Sequence, residues 1–474
     1  MFIVIFLLGF LPLLLAGWLA VRALEGKSSV LTHLERLTYG AVIGPVLVTE
    51  IVFLLNITNV LRLNLLAYLI SLLIVIMPLG FLEWKKRRSS ESFESPVLSS
   101  VEGSESSKKP LSKRTIVILS LLGVWLLLKS LAGFTILLGD PSYNDDVFDN
   151  WHYRAKILHH EQMLVIDQEN PGVTAYPPTV PMLKVWFALV NGGWNEQLAG
   201  MFSPLWYLLA LALAWCALRR SVGRNWAIVG VYLLSSIPLL WMHGFTPYVD
   251  LFVAIHLAVA VLPLFHSLES SSEKDRSAWL RIGALGAALL PMIKNETLLM
   301  HLPPVLLLAA GVILWSLMKG KLTIRSARSP VIAYGAIVAA ILLPWLLYKW
   351  SNNLTFGNAK GIGGMELVWQ QNVLKSLFIT WTLEANFLLL PGLLLGLLIV
   401  RFKKAFLSPA VVLTAFTLIV LCGILGIFLF TGLSAEALQQ TGSARGVVQL
   451  IPLIVILVTV LMADGYRALL KRQS

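Results

Sequence analysis

The residues able to do chemistry gather in three places. The first is the stretch GDPSYNDDVFDNWHYRAKILHHEQM, which holds Asp140, Asp145, Asp146 and Asp149 with His152, Arg154, Lys156, His159 and His160. Adjacent Asp145 and Asp146 repel each other, which favours a proton on one carboxyl and suits the pair to general-base work beside cations that could hold an anion. Helix capping in a solvated loop also accounts for the two aspartates. They could equally offer oxygen ligands to Mg2+ or Mn2+, but two adjacent carboxylates do not complete a site, so the metal question stays open. His159 and His160 are neighbours rather than four apart, a spacing that does not favour zinc.

The second place is Lys294-Asn295-Glu296, which with Pro291 interrupts the apolar run from Trp279 to Met318. A charge at the centre of one continuous spanning helix costs about 2.5–3.5 kcal/mol, so the run is expected to be a hairpin with these residues at its tip. There Lys294 could meet an anionic lipid head group, with Glu296 orienting it. The third is Arg445, the only basic residue of TGSARGVVQLIP, just before the last apolar run. An arginine at a helix start suits a phosphate, although snorkelling to the interface would place it there too.

The elements that must position these residues are membrane spans. Of 474 residues, 57% are hydrophobic and only 13% charged, where a soluble domain carries about 25% charged residues. That composition excludes a soluble enzyme. Apolar runs of about 20 residues, the length that crosses a bilayer, lie at 2–24, 37–57, 60–82, 115–138, 197–218, 225–243, 249–266, 279–296, 297–318, 331–348, 377–400, 407–430 and 447–463. The expected fold is therefore all-α and polytopic, with about thirteen transmembrane helices. Val180 to Val190 is too short to span and is expected to be an interfacial or re-entrant helix. Val147 to Met163 is expected to form a surface helix, with Trp151, Ala155 and Leu158 on its apolar side.

Charge then orients the chain. Basic clusters flank the Ser/Glu-rich segment between Lys85 and Arg114, which places it in the cytoplasm. Strict alternation puts Arg219, Arg220 and Arg224, then Lys319 to Arg328, Arg401 to Lys404, and Arg467 to Arg472 on the same side. The net charge of +12 is thus mostly an orientation signal and requires no nucleic acid. The expected organisation is 1–82 as N-terminal helices, 83–114 as a disordered cytoplasmic linker, and 115–463 as the core with an outer loop at 139–195. Residues 464–474 would form a cytoplasmic tail. Cys216 and Cys422 lie in apolar runs and read as buried hydrophobes. GNAKGIGG, from Gly357, lacks the pattern of a nucleotide-binding loop.

Taken in order, these elements resemble the integral-membrane C-type glycosyltransferases (GT-C), particularly the bacterial relatives of the protein O-mannosyltransferases and of the lipid A aminoarabinose transferase. The residues that carry the resemblance are Asp146, Trp151, Arg154, Ala155 and Lys156 in D-x4-W-x2-R-A-K, and Tyr176-Pro177-Pro178 with Pro181. Tyr248, Asp250 and Leu251 in Y-x-D-L follow, then Lys294-Asn295-Glu296, and Arg445 with Pro452. The resemblance covers roughly residues 115–463 and implies a multi-pass cell-membrane enzyme whose site faces the outer side. It implies Asp146 as general base with Asp145 as partner, and Lys294 and Arg445 on a lipid phosphate with Arg154 or Lys156 assisting. Tyr248, Asp250, Glu296, Trp151 and Tyr176 would shape the pocket. The implied donor is a sugar on a polyprenyl phosphate and the acceptor a lipid, glycan or protein. The three leading helices and the serine-rich linker depart from the simplest family plan, and a large soluble C-terminal domain is absent from this sequence.

Other classes answer to part of the same pattern. A transporter or lipid flippase also has many helices with a few buried charges, but its charges tend to fall at mid-membrane in repeated, broken helices. Here they fall at the ends of spans and no repeat is evident. A glycan ligase or polymerase also works on polyprenyl carriers, without needing this constellation.

Overall fold

The computed structural model describes residues 2–26, 28–91, 112–139, 146–166, 174–356, 367–440 and 442–473. Residues 92–111 of the expected linker lie outside them, as do Asp140, Asp145 and GNAKGIGG, while 83–91 continue the helix Leu65–Glu91. Helices account for 83% of the structure and none of the described residues forms a strand, as expected of backbone that must satisfy its own hydrogen bonds in lipid. Among the described residues, ten helices are long and apolar enough to cross a membrane.

Three of the expected spans are interrupted, each for a local reason. The run 225–243 is broken into Arg224–Ser236 and Pro238–Phe245, bent by 71°. Pro238 pushes Ile237 into an extended conformation and starts the second piece, because a residue before proline avoids the helical region. The run 377–400 is divided into short helices at 373–383 and Leu390–Val400, with Leu388 and Leu389 at positive φ between them. The run 279–296 becomes the 17-residue helix Glu273–Leu289, followed by a tight turn at Leu290–Met292. Among the described residues, the thirteen apolar runs thus appear as ten long helices, one bent pair, one 17-residue helix and one divided run.

Asp250–Glu269 is the axis of the packing, with every residue from Asp250 to Ser267 buried. The first two helices, Phe2–Glu25 and His33–Ile57, belong to the same body. They meet through glycines: a side chain on Gly17 would strike the Gly40 carbonyl, and one on Gly44 would strike that of Leu13. Small residues let helix backbones approach where lipid supplies no hydrophobic drive. Thr32 and Glu35 cap His33–Ile57 reciprocally. At the basic end, buried Arg36 donates to Glu25 at 2.7 Å and Arg220 donates to Glu35, tying these helices to Phe202–Ser221.

The surface helix forms as a π-helical turn, Asp146–His152, running into the α-helix Tyr153–Glu161. Trp151, Ala155 and Leu158 are all buried, so the apolar side expected from the sequence packs inward. Beneath it lies Thr179–Asn191, the run too short to span, buried from Thr179 to Ala188. Trp186 donates to the Gly9 carbonyl at 2.9 Å, and Tyr68 donates to the Met182 carbonyl at 2.7 Å. The N-terminal helices thus brace the element under the surface helix. Cys216 is buried, whereas Cys422 is on an exposed flank of Val411–Phe430.

Candidate functional site

Asp250 opens the axial helix, where the positive end of the helix dipole favours a carboxylate, and it is fully buried. The Lys294 ammonium lies 3.0 Å from its Oδ1 and 2.5 Å from Glu296 Oε1. Arg445 Nε lies 2.8 Å from Asp250 Oδ2, and its Nη1 pairs with Asp146. Gln449 donates to Asp250 at 2.9 Å and to Glu296 at 3.4 Å, and His243 Nδ1 stands 3.8 Å from Asp250. Three carboxylates and two cations therefore form one linked network. Its members come from the surface helix, the axial helix, the interrupted run and the segment that precedes the last helix.

Local sequence explains how each arrives. Pro291 ends one helix, and the Thr297 hydroxyl closes the turn by donating to the carbonyls of Leu290 and Lys294. This exposes the Lys294-Asn295-Glu296 tip toward the axial helix instead of threading charges through a span. A second π-helical turn, Thr297–His301, follows. Such turns are rare and recur at functional sites, and here two of them flank the network. Arg445 is presented by Gly442–Val448 and lies 4.8 Å over the Tyr248 ring, a cation–π arrangement. Burial works against the Arg445 charge, but Asp250 and Asp146 outweigh it and hold the guanidinium above its usual range. Burial and then the Glu296 charge push the Tyr176 phenol above its usual range, which keeps it protonated.

Asp146, Tyr176, Tyr248, Asp250, Lys294, Glu296 and Arg445 are thus neighbours. Trp151 supports the group from behind, its buried ring 5.6 Å from that of Tyr176. Arg154 and Lys156 are elsewhere. Arg154 is buried and donates to the Tyr176 carbonyl at 2.6 Å and the Thr174 carbonyl at 3.3 Å, so it holds backbone. Lys156 faces Glu196 at 3.6 Å and lies 5.7 Å over Trp194. Sequence reasoning missed Gln449 and His243. A glutamine four residues beyond Arg445, within an otherwise apolar run, was the available signal for the first.

Among the described residues, no group of three or more His, Cys, Asp or Glu side chains is placed to hold a metal ion. Asp145, the other half of the candidate carboxylate pair, lies outside them.

Fold and site together define an all-α, multi-pass membrane protein with a charged network held between its axial helix and a surface helix. The fold is similar to that of ArnT from Cupriavidus metallidurans, an aminoarabinose transferase. The crystal structure of that protein bound to undecaprenyl phosphate matches with a TM-score of 0.51 at 14% identity, over 71% of this chain and 60% of that one. Its apo structure gives 0.49 at 16% identity, over 72% and 60%. The match therefore spans about three fifths of the ArnT chain. No family model and no curated protein matches the sequence.

Proposed function

We propose that this protein is a membrane glycosyltransferase of the C-type class, moving a sugar from a polyprenyl phosphate to a lipid, glycan or protein acceptor on the outer face. The observation that carries this reading is Arg445 bridging Asp146, which is 42% exposed, and Asp250, which is buried and shared with Lys294. One accessible carboxylate thus stands beside two anchored cations. Sugar transfer from a phosphodiester needs that combination: a base for the acceptor and positive charge for the departing phosphate.

In the reaction so assigned, Asp146 takes the acceptor hydroxyl proton as the oxygen attacks the anomeric carbon. The bond from that carbon to the phosphate oxygen breaks, and its electron pair leaves with the polyprenyl phosphate. Arg445, anchored through Nε to Asp250 and Nη1 to Asp146, stands with Lys294 as the positive charge for that phosphate. Buried Asp250 touches no reacting atom in this scheme; it fixes both cations. The bound undecaprenyl phosphate of the ArnT structure supports a polyprenyl carrier as donor. A single displacement of this kind inverts the anomeric centre. No metal is needed for the step as written, and Mg2+ or Mn2+ bound through Asp145 and Asp146 would add a Lewis acid at the base.

The test is transfer by purified protein in nanodiscs, using polyprenyl-phosphate sugars and candidate acceptors. Wild type should transfer, and Asp146→Asn and Lys294→Ala should not, although both remain monodisperse. Equal rates in all three would remove these residues from the reaction.

A further inference from the structure

A second polar cluster lies on the other side of the surface helix and takes no part in the network around Asp250. Its innermost member is Lys184, on the buried face of Thr179–Asn191, only 1% exposed and with no partner for Nζ. Burial pulls its ammonium well below the usual range, with Glu196 acting in the opposite sense. His152 ends the π-helical turn, gives Nδ1 to Glu196 at 3.2 Å and leaves a buried Nε2 without a partner. Burial and then the nearby Lys184 charge push His152 down to about 4, so at neutral pH its Nε2 is a lone-pair acceptor. Trp194 stacks edge-on to His152 at 6.0 Å, and its buried Nε1 also lacks a partner. Lys156 and Glu196, 42% and 31% exposed, lie at the rim.

Buried polar groups are almost always hydrogen-bonded, and a group left without a partner costs about 1–3 kcal/mol or more if charged. Three such groups on adjoining elements, with an exposed ion pair beside them, amount to a built site. Their chemistry selects the ligand. Lys184 and Trp194 are donors and ask for an anionic oxygen, while His152 Nε2 asks for a hydroxyl proton. A carboxylate offers no such hydroxyl, whereas a singly protonated phosphate offers both.

We propose that Lys184, His152 and Trp194 bind a phosphate monoester at a site separate from the network around Asp250, with Lys156 and Glu196 at its mouth. The ligand is either a soluble phosphate compound or a lipid bearing a terminal phosphate. This inference does not rest on the transferase reading, because it is tested by binding alone.

The experiment measures thermal stability and binding for the full chain in neutral detergent with inorganic phosphate, and in nanodiscs with and without phosphatidic acid. Lys184→Met keeps the side-chain length and removes an unpartnered buried amine, so it should fold. Trp194→Phe keeps a ring and deletes only the indole N–H. Phosphate should stabilise wild type, Lys184→Met should lose the effect, and Trp194→Phe should bind about tenfold to a hundredfold more weakly, as loss of a hydrogen bond to a charged group implies. Stabilisation in the phosphate arm assigns a soluble ligand, and stabilisation confined to phosphatidic acid assigns a lipid. No stabilisation in either arm, or equal stabilisation of wild type and Lys184→Met, would overturn the site.

Discussion

Replacing Lys294 by methionine removes the one cation that Asp250 and Glu296 share, at 3.0 and 2.5 Å. The two carboxylates are not equivalent afterwards. Glu296 is 27% exposed and can turn toward water, whereas Asp250 has no exposure and must keep its charge inside the protein. Removing one partner of a buried pair costs about 3–5 kcal/mol, because the remaining charge stays buried without compensation. Arg445 and Gln449 remain on Asp250, which sets the expectation at the low end, about 3 kcal/mol. Asp250→Asn should cost less, about 1–2 kcal/mol, since Lys294 then keeps Glu296 and Arg445 keeps Asp146. In the double variant the uncompensated carboxylate is gone. Its loss should fall below the sum of the two single losses and should not exceed that of Lys294→Met. The assay is the monodisperse fraction surviving a temperature series in detergent, compared at one heating rate because membrane proteins often unfold irreversibly. A double variant whose loss equals the sum would show that the two side chains act independently and would refute the argument.

Asp146→Asn should melt within about 1 kcal/mol of wild type, since its pair with Arg445 is partly exposed, while transfer falls by roughly 10²–10⁴-fold; a matching loss of stability would make Asp146 structural. Gly44→Val should abolish the monodisperse protein because its side chain lands on the Leu13 carbonyl, whereas Gly123→Ala, with open space around it, should behave as wild type in the same size-exclusion run. His152 is held down to about 4, below its ordinary 6.5, by burial, Lys184 and Lys156 against Glu196. The unfolded chain therefore binds the extra proton first. Stability present above pH 6.5 is lost as pH falls toward 4, by about 3 kcal/mol; His152→Gln should flatten that slope in melts between pH 7 and 4.5, and parallel slopes would contradict it.

The all-helical, membrane-spanning architecture was legible because each run of apolar residues has only one way to satisfy its backbone in lipid. So were the break at Lys294-Asn295-Glu296 and the buried stripe of Trp151, Ala155 and Leu158, since charge cost and helical periodicity are local properties. What composition could not reveal was where a largely apolar run would be broken. Pro238 bends one such run and Leu388 and Leu389 interrupt another, although a proline such as Pro263 is accommodated within the axial helix. Partner choice was equally hidden. Arg154 looked like a phosphate ligand by type and position, but backbone carbonyls 20 and 22 residues away each accept from one of its Nη groups. Gln449 carries no motif, and yet tertiary packing brings it to Asp250, 199 residues away.

The central claim is that the network around Asp250 breaks a glycosidic bond to phosphate rather than carrying a lipid across the membrane. The direct measurement uses purified protein in vesicles loaded with a polyprenyl-phosphate sugar labelled separately in the sugar and in the lipid. The account predicts that, once an acceptor is supplied, the sugar label moves to the acceptor and an equal amount of free polyprenyl phosphate appears, with neither change in Asp146→Asn. Movement of both labels together across the bilayer, with the glycosidic bond intact and unaffected by Asp146→Asn, would contradict it.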